Sequence, residues 1–215
     1  MLEKLIVFVE EDSAEAALNF LLPKLLGDVD FQIIRFQGKK DLLKQAPARL
    51  RGYASWLPKD WRILVLVDRD DEDCFALKSE LENIAADAGL LTKTATGGSA
   101  SFCVVNRIAC EELEAWFFGD WAAVKAAFPR VPATVPCKAG FRDPDAIAGG
   151  TWETMERLLQ KAGYFKGGLR KVDFARCVAR HMVPEANTSR SFQAFSGAIS
   201  AALLSTTYPH KVVGS

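Results

Sequence analysis

ILVLVDRDDEDC, residues 63–74, carries five aliphatic side chains directly into Asp68, Arg69, Asp70, Asp71, Glu72 and Asp73. The apolar run is short, rich in β-branched residues and continuous. That pattern predicts a central strand of a parallel sheet, covered on both faces. The acids that follow call for two explanations. Asp71, Glu72 and Asp73 suit the positive N-terminal end of a following helix, with Asp73 as its cap. Asp68 abuts the buried strand itself, where an unpaired charge is costly. Asp68 and Asp70 are therefore expected to hold a divalent cation.

LIVFV, residues 5–9, is a second such run, and it ends in Glu10-Glu11-Asp12. FQIIRF, residues 31–36, is a third. The segments between these runs read as helices over residues 13–26, 40–56 and 73–88, the first with Ser13 as its cap and Pro23 as a kink. LLTKTAT and SFCVVNRI, around the Gly97-Gly98 loop, are further strand candidates. The alternation predicts an α/β fold with a mostly parallel sheet flanked by helices. If strand two flanks strand one on one side and strand three on the other, a crevice opens between strands one and three. Glu10 would meet Asp68 and Asp70 there. Hard carboxylate oxygens of this kind suit Mg²⁺ or Mn²⁺.

Beyond residue 108 the pattern becomes helical: two short helices, a proline-marked connection, then three more. The expected organisation is an α/β core over residues 1–128 and a helical C-terminal extension over residues 129–215 packed on it. In ACEELEAWFF, Leu113, Trp116 and Phe117 form an apolar face flanked by Glu112 and Glu114. Either glutamate is a candidate second-metal ligand or general base. Trp116 and Trp121 are expected in the core. Lys166, in the glycine-rich GYFKGG, is the candidate to reach a phosphate. TGGSAS, residues 96–101, is a weaker phosphate cradle that lacks the GxxxxGK pattern.

Composition narrows the chemistry. The 215 residues hold 27 basic and 27 acidic side chains. The balance is uneven: residues 1–124 carry 21 acids and 14 bases, the remainder 6 and 13. An acidic metal site beside a basic, phosphate-binding surface fits that division. Only two histidines, His181 and His210, are present, which argues against a His-rich zinc site or a Ser-His-Asp triad. The five cysteines form no CxxC pair and are expected reduced and mostly buried. The first apolar run reads as a strand rather than a signal peptide, and no run suits a membrane span. A cytoplasmic protein with no membrane partner is expected.

FVEEDSAEAAL, VLVDRDDEDC, ELEAWFFGD, GYFKGG and NTSRSFQAF together resemble the bacterial family known as domain of unknown function 4276, which is TOPRIM-like. The resemblance implies a TOPRIM-like sheet with a glutamate after the first strand and a DxD after the third. Glu10 matches the glutamate, Asp68 and Asp70 the DxD, and Glu112 and Glu114 the acidic motif before tryptophan. What it implies is Mg²⁺- or Mn²⁺-dependent phosphodiester cleavage on DNA or RNA, in phage defence or mobile-element biology. The alternative is a non-catalytic interaction subunit that works with a protein partner.

Overall fold

A computed structural model describes residues 1–97 and 101–205. Four strands, β1 (Lys4–Val9), β2 (Asp30–Arg35), β3 (Trp61–Asp68) and β4 (Val104–Ala109), form one parallel sheet in the order β2-β1-β3-β4. The chain moves outward from β1 to β2, then returns to add β3 on the other side of β1. The crevice between β1 and β3 is therefore the switch point that the sequence predicts. In register, Val9 lies beside Leu66, and Asp68 lies beside Ala109.

The central strands β1 and β3 are buried on both faces, as their unbroken apolar runs require, while the edge strand β2 is only partly covered. Leu5, Val7, Val9, Leu64 and Leu66 face α1 (Asp12–Leu26), α7 (Lys171–Ala179) and α8 (Arg190–Leu203). Ile6, Phe8, Ile63, Val65 and Val67 face α2 (Lys39–Ala54) and α3 (Cys74–Asp87). The short helices α4 (Glu114–Gly119) and α5 (Trp121–Ala127), followed by α6 (Thr151–Lys161), complete the first layer and share its core. The C-terminal helices thus pack directly on α1. Lys24, near the end of α1, fixes that packing by donating to the carbonyls of Ala179, Arg180 and Met182 at 3.0, 2.8 and 2.7 Å. An ammonium group at those carbonyls also opposes the negative end of α7.

One contact ties α8 to the rim that carries the acids. Trp116 is fully buried, meets Phe192 and Phe195 at centroid distances of 5.2 and 4.8 Å, and donates its indole N–H to Ser191 Oγ at 3.0 Å. Asp145 accepts from the hydroxyls of Ser189 and Ser191 and from the backbone N–H of Arg190 and Ser191. The start of α8 is thereby held against α4.

Several expectations need correction. Residues 90–96 form turns rather than a strand, with only Thr92 bridging to Val104. The Thr92 hydroxyl accepts from Ala95 N at 3.1 Å, and such local bonds compete with a ladder. Glu11, not Ser13, stands at the N-cap of α1, and the Ser13 hydroxyl donates to the Glu11 carboxylate. Pro23 does not interrupt α1, which ends at Gly27 with φ 61°. All five cysteines are free, but only Cys103 is buried, while Cys137 and Cys177 are exposed. Half of the TGGSAS cradle, residues 98–100, and the tail after Ser205 lie outside the described residues. No helix among the described residues is long and apolar enough to cross a membrane.

Candidate active site

Every strand of the sheet delivers charged groups to its C-terminal rim. β1 gives Glu10 and Glu11, β3 gives Asp68 and Asp70, and the turn after β4 gives Glu112 and Glu114. β2 gives a cation instead, Lys39, the first residue of α2. Backbone bonds lock these turns together. Gly38 N–H donates to Glu10 O at 2.7 Å, Arg69 N–H to Ala109 O at 2.9 Å, and Asp70 N–H to Glu111 O at 2.8 Å. Asp70 and Glu111 both sit in the left-handed region, at φ 50° and 62°. For residues other than glycine that conformation costs about 1 kcal/mol each, and it persists here because the two turns brace each other. An ion pair between Arg69 and Glu111 reinforces the brace.

Glu10 is buried, and its Oε1 accepts the Asp68 backbone N–H at 2.5 Å. Burial raises its pKa to about 7, against the opposing effects of that hydrogen bond and of Lys39. Asp70 and Glu11 add to the rise. Asp68 is held well above the ordinary carboxylate range by burial, then by the charges of Glu10, Glu114, Glu11 and Asp70. Glu114 is fully buried, and neither of its carboxylate oxygens has a hydrogen-bond partner among the described residues. Burial raises its pKa to about 8, although Lys171 opposes the rise. The charges acting on Asp68 therefore come from β1, from β3 and from the turn after β4. The structure brings Glu10, Asp68, Asp70 and Glu114 to one place on the rim.

Glu112 and Glu114 separate in role. Glu112 Oε2 accepts from Thr151 Oγ1 at 3.0 Å and from Trp152 N–H at 2.9 Å, so it caps the start of α6. Glu114 has no such commitment. Lys166 lies exposed in the turn between α6 and α7. The cations that act on the carboxylates are Lys39 and Lys171. Lys171 Nζ is 3.6 Å from Glu112 Oε1 and 4.5 Å from the centre of the Trp152 ring. Burial lowers the Lys171 pKa, but Glu114, Glu11, Glu112 and Asp68 outweigh it and hold the ammonium above its ordinary value. Lys39 is 9% exposed and donates to Asp70 Oδ2 at 2.7 Å, Glu72 Oε1 at 3.0 Å and Arg69 O at 3.2 Å. Beside these groups lies an acidic cleft of about 320 Å³, lined by Asp70, Asp71, Glu111, Glu112, Gly150 and Glu153. A cavity of about 510 Å³ along the end of α3 is more apolar and carries none of the rim carboxylates.

Among the described residues, no three acidic, histidine or cysteine side chains already converge as a metal cage. The donor set nevertheless fits a hard divalent ion. It is all oxygen, it carries excess negative charge, and the Glu114 oxygens are buried without partners. Asp70 is turned toward Lys39.

The family model described as Domain of unknown function (DUF4276) matches residues 9–200. Neither the comparison with curated proteins nor that with solved structures gives a match.

Proposed function

The chain belongs to the DUF4276 family, and for it we propose a metal-dependent phosphodiesterase acting on nucleic acid through a TOPRIM-like carboxylate site. The observation that carries this reading is Glu114: a fully buried glutamate with both oxygens unpartnered among the described residues, close enough for its charge to act on Asp68. A buried, unsatisfied carboxylate is costly to maintain, and a cation relieves that cost.

Asp68, Asp70 and Glu114 would hold Mg²⁺ or Mn²⁺, with Glu10 beside them. When bound, the ion would supply charge neutralisation at the phosphate and a more acidic water. Glu10, with a pKa of about 7, is matched to taking a proton from an attacking water near neutral pH. Lys171 presents an ammonium group beside the carboxylates and can meet the charge that develops on a phosphoryl oxygen. The roles proposed for Lys171 and Lys166 differ: Lys166, exposed on the turn leading into α7, is placed for a more distant phosphate of the strand. Glu112 keeps α6 and Trp152 in position rather than reacting.

A second reading rests on the same rim. Asp70, Glu111 and Glu112 are all engaged in ion pairs or capping bonds, as in a non-catalytic module that uses its acids structurally. One experiment separates the two. The full chain is incubated with single- and double-stranded DNA and RNA in Mn²⁺, alongside Asp68→Asn. Cleavage by the wild type and none by the variant supports the phosphodiesterase. No cleavage, together with no Mn²⁺-dependent thermal stabilisation, supports the module.

A further inference from the structure

Lys39 stands apart from the other cations of the rim. An ammonium group has three N–H donors. All three are spent here, on Asp70 Oδ2, Glu72 Oε1 and Arg69 O. The side chain is 9% exposed, and the backbone before it is pinned to the Glu10 carbonyl through Gly38 N–H. Asp70 in turn has little freedom, because its left-handed backbone is tied to Glu111. In this arrangement one carboxylate of the Asp68-x-Asp70 pair is occupied by a cation the chain itself supplies. The other, Asp68, is acted on by the charge of the buried Glu114, whose oxygens have no partner among the described residues.

We propose that Lys39 is a tethered counter-cation that holds Asp70 until a divalent ion replaces it, so that metal entry and release of the Lys39 ammonium group are one exchange. This inference rests on the metal site of the preceding section and adds its regulation. Before the exchange, the lysine neutralises Asp70 and Glu72 and keeps the rim folded. In the exchange, Asp70 Oδ2 passes from ammonium to metal. Afterwards the ammonium group stays beside the site on Glu72 and Arg69 O, with the donor that had served Asp70 free for a phosphate oxygen of the substrate. The exchange also sets a threshold: the ion must outcompete a cation at high effective concentration, so metal binds more weakly than the same carboxylates would bind it alone.

The test measures binding of Mn²⁺ alone to the full chain by isothermal titration calorimetry, at fixed pH and ionic strength. Lys39→Met removes the charge, and Lys39→Arg keeps it. The expected result is Mn²⁺ affinity at least about tenfold tighter in Lys39→Met, since a unit positive charge leaves the immediate surroundings of the ligands. Lys39→Arg should stay near the wild-type affinity. Equal or weaker binding by a folded Lys39→Met overturns the exchange while leaving the wild-type metal site standing. Absence of Mn²⁺ binding in the wild type overturns the metal reading itself, and the exchange with it. A measurement on the wild type alone guards against misfolding of the variant. The Lys39 ammonium ¹⁵N signal, visible while the group is hydrogen-bonded and buried, should broaden or vanish as Mg²⁺ saturates the protein. A Lys39 signal unchanged at saturation overturns the proposal.

Discussion

Replacing Glu114 with glutamine removes a buried ionisable group with little change in the shape of the side chain, and the structure fixes how the consequence should vary with pH. The carboxyl titrates near 4.5 when unperturbed and near 8 in the folded chain. An acid raised in this way favours the fold fully below its unfolded pKa. That contribution is lost as the pH climbs through the folded value, because the unfolded chain gives up its proton first. Between about pH 4.5 and 8 the metal-free wild type should therefore lose stability steadily. At roughly 1.4 kcal/mol per pH unit, the loss attributable to Glu114 is on the order of 5 kcal/mol. Glutamine cannot ionise, so Glu114→Gln escapes this part of the loss and keeps only the parts due to Glu10 and Asp68. The assay is urea and thermal denaturation in a chelating buffer at pH 5, 7 and 9. Any fixed penalty from the new amide cancels when the two proteins are compared across pH. The variant should gain on the wild type by several kcal/mol between pH 5 and pH 9, about 10 °C in Tm for a domain of this size. Parallel stability curves would refute the reasoning, because they would mean that Glu114 ionises in the fold without penalty.

Other consequences are separable from that one. Mn²⁺ affinity should rise between about pH 6 and 8, because metal binding must displace the proton held by Glu114; calorimetry in buffers of different ionisation enthalpy should report a net proton release of about one, and a pH-independent affinity with no release would count against ligation by Glu114. Gly119→Ala should destabilise the chain by about 2 kcal/mol or more, since a Cβ there would lie 2.2 Å from Asn187 Oδ1 and 2.7 Å from Ser189 N; a denaturation midpoint unchanged from the wild type would mean that α4 and the start of α8 are not in close contact. Asp145→Ala should cost about 1–3 kcal/mol by leaving two serine hydroxyls and two backbone N–H groups without their acceptor, with faster amide exchange at Arg190–Phe192 as the local signature. Glu10→Gln should lower any phosphodiester cleavage by about a hundredfold or more while shifting Mn²⁺ affinity much less; an equal loss of both would make Glu10 a ligand rather than a base.

The sheet could be read from the sequence because its two central strands are unbroken apolar runs, and three of the four strands are followed by charged turns whose acids have no reason to lie beside buried backbone. The ranking of Glu112 against Glu114 could not. Two residues apart, one lies in the turn before α4 and the other is its first residue, and α4 is seated by Trp116 packing on Phe192 and Phe195, contacts more than 70 residues away. The two lysines differ in how their place is encoded. Lys166 is marked by its glycine-rich neighbours, a local signal, whereas Lys39 owes its place to β2 lying beside β1, so that the residues after β2 reach the same rim as Glu10. That neighbourhood follows from the strand order the sequence already predicts, so a lysine directly after the second strand was a signal within reach.

The charge balance of the rim explains why these details belong together. Six carboxyl groups, Glu10, Glu11, Asp68, Asp70, Glu112 and Glu114, act on one another, and Lys39 and Lys171 are the cations acting on them. Two cations cannot balance six carboxylates in a partly buried site. Without a metal, the chain answers by holding protons: Glu114 to about pH 8, Glu10 to about pH 7, and Asp68 well beyond its usual range. A divalent ion would replace those protons at neutral pH without requiring the acids to separate. If the rim were only a solvated edge, its carboxyls would turn outward and titrate normally. Glu114 does neither: it is fully buried, and its oxygens have no donor among the described residues.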